Sequence, residues 1–181
     1  MNILFREQNY AIQEKIQKNT YIDNFTVVDS NFNEIQFKDI KGKKVILTVP
    51  SVDTKVCSLE LGKFIHLLQD YDVTLVSISM DLPFALDRWC QNNSQQIIAT
   101  SDFRYHDFKN MSGLFMKEIG LFVRSVMIVN DQNQVEYIEI VENTHTEPNY
   151  DSVLAQLKRK WWHFLFFILA PPTGIEPTTS P

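Results

Sequence analysis

Cys57 and Cys90 are the only two cysteines among 181 residues, and each closes a stretch whose other residues suit sulfur chemistry. The first stretch, VPSVDTKVC from Val49 to Cys57, sets Pro50 seven residues and Thr54 three residues before the thiol. If a strand stops at Pro50 and a helix starts just after Thr54, Cys57 falls in the first helical turn. Free backbone N–H groups and the positive end of the helix dipole there favour a thiolate, the nucleophilic form of cysteine. The Thr54 hydroxyl, one turn earlier, can orient a bound oxygen atom, and Pro50, with no N–H, can shield the sulfur from water. On this stretch alone, a cysteine buried simply as a small apolar side chain is the commoner reading.

The elements that must hold these residues follow from pattern. Alternating β-branched runs and helical periodicities specify an α/β layer fold. Phe25 to Asp29 and Asn33 to Phe37 flank an Asp-Ser-Asn turn and read as an early β-hairpin; Lys44 to Pro50, Val73 to Met80 and Gln96 to Thr100 read as strands. A helix is expected from Thr54 to Leu68, with Val56, Leu59, Leu61, Phe64, Ile65, Leu67 and Leu68 apolar and Glu60, Lys63 and Gln69 on the wet side. A second helix begins at Pro83 and carries Phe84, Leu86, Trp89 and Cys90, and a short one spans Tyr105 to Met111. Val123 to Val129 and Val135 to Val141 form a hairpin around NDQNQ, and Glu147 to Lys158 an amphipathic helix.

Composition narrows the function. A formal net charge of -5 and a pI near 5.3 argue against nucleic acid, which requires a clustered basic surface. The basic run Lys41 to Lys44 reads as a solvated turn before a strand. The N-terminus lacks the basic and apolar regions of a secretory signal, so a cytoplasmic location is expected. In a reducing compartment two cysteines suit transient redox chemistry better than a permanent staple. With no C-x-x-C pair, and with His66, His106, His145 and His163 at no ligand spacing, neither a metal nor a cofactor is implied. The domain is expected to occupy residues 1–158. Residues 159–181, an apolar aromatic block followed by a Pro/Thr-rich end, read as an unstructured tail or a reading-frame extension; the block is too short to span a bilayer, and membrane contact is not expected.

The stretch PSVDTKVC resembles the P-x-x-x-T-x-x-C motif of peroxiredoxins. SMDLPFALDRWC, Ser79 to Cys90, resembles the second signature of the bacterial thiol peroxidases, the atypical two-cysteine subfamily, and VRSVMIVND, Val123 to Asp131, the family strand bearing an active-site arginine. The resemblance covers about Phe25 to Lys158. It implies a thioredoxin-like fold, a homodimer, and reduction of hydrogen peroxide and organic hydroperoxides, with thioredoxin as reductant. Carried over, Cys57 matches the peroxidatic cysteine and Cys90 the resolving one, joined as a disulfide during turnover. Thr54 matches the positioning hydroxyl, Pro50 the shield, and Arg124 the guanidinium beside the thiolate, a group that stays charged and offers donors in a rigid fork.

Two other readings keep the fold and change the role, namely a peroxide sensor or relay and a binding module whose cysteines are incidental. Phe84, with Trp89, Phe115 and Met116, is a candidate apolar wall for the peroxide substituent. The chain departs from the family pattern at Lys55, where glycine is usual, in the segment Lys18 to Thr26, and in the tail.

Overall fold

The computed structural model describes residues 1–93 and 96–158. In chain order the strands and helices are β1 (Asn2–Phe5), β2 (Gln8–Ala11), β3 (Thr26–Val28), β4 (Glu34–Gln36), β5 (Lys44–Thr48), α1 (Lys55–Leu68), β6 (Thr74–Ser79), α2 (Pro83–Gln91), β7 (Ile98–Ser101), α3 (Asp107–Ser112), β8 (Phe115–Met116), β9 (Leu121–Phe122), β10 (Ser125–Val129) and β11 (Val135–Ile140). A further helix, α4, occupies 150–158. Chain contacts divide the protein into Met1–Asn149 and Tyr150–Pro181. The expected tail, with His163, lies outside the described residues.

The unit Met1–Asn149 is organised by one mixed sheet in the order β11-β10-β5-β6-β7-β3-β4. The central strands β5, β6 and β7 run parallel, whereas β10, β11, β3 and β4 join antiparallel. Every residue of β5, and all of β6 but Thr74, is buried. Parallel strands covered on both faces read as unbroken apolar runs for this reason. The early hairpin forms as expected, its turn organised by Asp29, whose carboxylate accepts the backbone N–H groups of Asn31 and Asn33 at 2.8 and 2.9 Å.

The structure departs from the expectations at three points. Helix α1 buries Cys57, Glu60, Leu61, Phe64, Ile65 and Leu68, so the apolar stripe is rotated: Leu59 is exposed and Glu60 lies inside. Lys44 opens β5, as the strand expected from Lys44 to Pro50 has it, but is buried rather than part of the solvated turn, its ammonium donating to Gly42 O at 2.9 Å and Asn133 Oδ1 at 3.0 Å. Burial pulls its pKa down. The third is an addition, the hairpin β1–β2 ahead of all the expected strands. Its turn uses Arg6 at φ 55° rather than the glycine or asparagine that marks such turns in a sequence. Leu4 N–H donates to Glu142 O, and Thr144 returns the contact through N–H and hydroxyl to Leu4 O. The hairpin thereby holds the segment that follows β11.

Candidate active site

Pro50 ends the run that continues from β5 and is buried, while Thr54 caps α1 as the sequence predicts. The Thr54 hydroxyl oxygen accepts the Cys57 N–H at 3.3 Å and donates to Ser51 O at 3.2 Å, satisfying one free donor of the first turn. The loop between Pro50 and Thr54 is clamped by Asp81. Its carboxylate accepts the Ser51 hydroxyl at 2.7 Å and the Val52 N–H at 2.8 Å. Asp81 follows β6, so the clamp ties the loop to the neighbouring parallel strand. Ser101 at the end of β7 donates in turn to the Asp81 carbonyl.

Cys57 is fully buried in the first turn of α1 with a free thiol. Arg124, immediately before β10, is 1% exposed and directs Nη2 to the Cys57 sulfur at 3.4 Å and to Thr144 O at 3.0 Å. Its Nη1 pairs with the Glu60 carboxylate, which is itself buried. Arg124, 67 residues away in sequence, thus meets Cys57 and its cap Thr54 at the N-terminal turn of one helix, with Pro50 buried in the stretch that leads into it. The N-terminal end of α1 and the Arg124 guanidinium both face the sulfur.

Cys90 lies in the last turn of α2, half-buried and also a free thiol. Burial, with Asp87 adding to it, pushes this thiol's pKa up. Around it α2 is tied to the start of α1 at two points: Arg88 Nη2 donates to both carboxylate oxygens of Asp53 at 2.7 Å, and Trp89 Nε1 donates to Ser58 Oγ at 2.9 Å. Between these helices an open depression is lined by Thr54, Lys55, Ser58, Arg88 and Trp89. Lys55 is exposed there.

The expected apolar wall divides. Trp89, Phe115 and Met116 are buried, the last two in the β8–β9 hairpin, whereas Phe84 is 68% exposed and meets Phe32 edge-on at 5.2 Å. As a group these four do not form one wall.

A model of the Redoxin family matches residues 17–154. The thiol peroxidase of Clostridium acetobutylicum is 36% identical over 157 residues, 85% of this chain and 96% of that protein. The chain belongs to the redoxin family, among the bacterial thiol peroxidases. The thiol peroxidase of Listeria innocua agrees, at 39% identity over 139 residues, 75% of this chain and 84% of its own. Among solved structures, a peroxiredoxin-like protein from Aquifex aeolicus is 30% identical with a TM-score of 0.79, covering 87% of this chain and 96% of that one. The thiol peroxidase of Chromobacterium violaceum, 20% identical, shares the fold at a TM-score of 0.84 over 90% of this chain and 98% of its own. The thioredoxin-like α/β fold and thiol-dependent peroxide reduction follow from this membership.

Two residues of the candidate site were not picked out from the sequence. Asp81 lies inside the SMDLPF signature but was given no role. Glu60 was placed in water, although its spacing of three from Cys57 and four from Phe64 puts it on the buried stripe.

Proposed function

We propose that Cys57 is the thiol that attacks the peroxide and that Cys90 resolves it. The contact of Arg124 Nη2 with Cys57 Sγ, at the N-terminus of α1, carries this reading. The Cys57 thiolate attacks one peroxide oxygen in line with the O–O bond; a sulfur–oxygen bond forms, the O–O bond breaks, and water or an alcohol leaves after taking a proton. Arg124 and the Thr54 hydroxyl offer donors to the charge that develops on the departing oxygen. Pro50 limits water at the sulfur.

Cys57 is left as a sulfenic acid, which condenses with the Cys90 thiol to a disulfide and releases water. A dithiol then returns both cysteines to thiols and is itself oxidised to a disulfide; thioredoxin is the reductant proposed. Because Cys57 is fully buried and the two helices are tied by Trp89 and Arg88, the helix ends carrying the cysteines separate locally before the disulfide closes. The working protein is proposed to be a cytoplasmic homodimer comprising the expected domain 1–158, with Phe84 contacting the substituent of an organic hydroperoxide. Among the described residues no helix is long and apolar enough to cross a membrane.

The test is stopped-flow reaction with hydrogen peroxide, followed by intact mass and peptide mapping. Cys57→Ser is expected to abolish the reaction, and Cys90→Ser to trap a Cys57 sulfenic acid open to overoxidation. A Cys57→Ser protein that still consumes peroxide overturns the assignment. Steady turnover with thioredoxin and its reductase separates an enzyme from a stoichiometric sensor.

A further inference from the structure

After β2 the chain lies as a strap, residues 12–16, against the C-terminal end of α3, and close backbone contact builds the junction. Ser112 O accepts the N–H groups of Lys15 and Ile16 at 2.9 and 3.3 Å. Gly113 caps α3 at φ 68°, and a Cβ there would stand 1.9 Å from Gln13 O, so only glycine admits the strap. Beside this junction opens a cleft of about 330 Å³, bounded by the strap, the end of α3 and the β8–β9 hairpin. That volume is enough for a small organic molecule.

Each of the three segments brings a lysine to the cleft: Lys15, Lys109 and Lys117. Among the described residues none of their ammonium groups is paired with a carboxylate, although the chain has 22 acidic residues and a net charge of -5. The acids next to them on the strap and on α3 are engaged elsewhere, Glu14 with the amino terminus at 3.4 Å and Asp107 with the Thr26 N–H at 3.0 Å. Lys15 gives one hydrogen bond, to Asn110 O at 2.8 Å. Lys109 is half-buried, its ammonium 4.6 Å from the centre of the Phe115 ring, a contact that holds the charge at the cleft wall. Glu118 is the one acid in the lining, so three lysines against one glutamate leave a net charge of +2.

Three cations around one opening repel each other, and an anion that meets all three relieves the repulsion through charge-assisted hydrogen bonds. A carboxylate brings one charge and two oxygens. A phosphate monoester brings nearly two charges and three acceptor oxygens, the closer match to three ammonium groups. Ile12 and Phe115 add apolar surface to the same lining, which suits the organic part of an ester.

We propose that this cleft binds a small soluble phosphate monoester, its phosphoryl oxygens met by Lys15, Lys109 and Lys117 and its organic group resting on Ile12 and Phe115. Neither cysteine takes part, so the site stands whichever thiol attacks the peroxide.

Phenyl phosphate is the probe, titrated into the reduced full chain at about 50 mM salt, where screening is modest. Calorimetry is expected to show saturable one-to-one binding with a Kd below about 1 mM, and amide ¹H–¹⁵N shifts to centre on Gly113 and Lys117. Inorganic phosphate, which lacks the ring, is expected to bind about fivefold more weakly. Lys109→Gln and Lys117→Gln are each expected to weaken phenyl phosphate about three- to fivefold. Lys18→Gln, which changes the net charge equally at an exposed position outside the cleft, is expected to leave the Kd unchanged. No saturation by about 10 mM, equal losses in Lys18→Gln and the cleft variants, or shifts centred elsewhere overturn the proposal. Equal affinity for phenyl phosphate and inorganic phosphate overturns the ester and leaves a plain anion contact. Vesicles containing phosphatidic acid present the same phosphoryl group on a lipid; capture by them without saturable binding of phenyl phosphate overturns the soluble ligand in favour of a membrane headgroup.

Discussion

Replacing Asp81 by alanine removes the clamp on the loop that carries Pro50 and Thr54 toward Cys57. Two hydrogen bonds are lost, from the Ser51 hydroxyl at 2.7 Å and the Val52 N–H at 2.8 Å, both to an ionised acceptor. Bonds of this kind contribute roughly 1.5–3 kcal/mol each. The Ser51 hydroxyl is half-buried and can recover a water partner, whereas Val52 is only 2% exposed and its N–H is left poorly satisfied. The expected net loss is therefore about 3 kcal/mol, below the sum of two full bonds. For a chain of this length that corresponds to a fall in Tm of roughly 6–12 °C. The catalytic effect exceeds what unfolding explains, because Thr54 and Pro50 lose their fixed approach to the sulfur: the peroxide rate constant of the folded protein is expected to drop about tenfold or more. Calorimetry and stopped-flow rates measured well below the new Tm test both parts. Ser51→Ala, which removes one of these two bonds together with the 3.2 Å bond that the Ser51 hydroxyl oxygen accepts from the Asp53 N–H, is expected to cost less stability than Asp81→Ala, and the double variant to fall short of additivity. A Tm within about 2 °C of the parent, together with an unchanged rate, refutes the argument that Asp81 holds the loop.

Two further outcomes are expected. Ser58→Ala removes the acceptor of the Trp89 indole, a tie of about 1 kcal/mol between the two cysteine-bearing helices. Local opening then becomes about fivefold more frequent, so the Cys57–Cys90 disulfide forms faster after peroxide and less protein is overoxidised, as quenched intact mass will show; slower disulfide formation contradicts the opening step. Asp102 is fully buried and accepts N–H groups from Phe108 and Lys109 at 3.4 and 2.7 Å, yet burial raises its pKa to about 6. Because the folded state holds this proton more tightly than the unfolded chain, the resulting stability is fully present below the unfolded pKa near 4 and is lost as pH rises through about 6, up to about 3 kcal/mol. Urea unfolding from pH 4 to 7 is expected to show that decline in the parent and to lack it in Asp102→Asn; parallel slopes in the two proteins exclude it.

The central strands and the positions of Pro50, Thr54 and Cys57 were legible because each rests on a local signal. Unbroken apolar runs mark β5 and β6, and a threonine three residues ahead of a helical cysteine marks a cap. The partners that complete the site were not legible, because their placement depends on long-range contacts. Glu60 shows how: helical periodicity was visible, but its phase was misjudged, since Leu59 and Glu60 differ by only one position and hydrophobicity favoured the wrong one. Only the proximity of Arg124, 64 residues away in sequence, makes the interior acceptable for a carboxylate.

The hairpin β1–β2 carries the same lesson into the site. Its four-residue strands and its Arg6 turn leave no periodic signature, and nothing local suggests that it serves chemistry. Yet Leu4 pairs with the segment after β11 and fixes Thr144, whose carbonyl is the neutral acceptor for Arg124. The guanidinium is thus set from two directions, by Glu60 from α1 and by Thr144 through the amino-terminal hairpin. That arrangement explains how a residue placed just ahead of a sheet strand can face a helix N-terminus without the water that would otherwise satisfy it. The arginine was recognisable from its motif; what aims it was distributed over segments from opposite ends of the unit, where spacing alone carries no information.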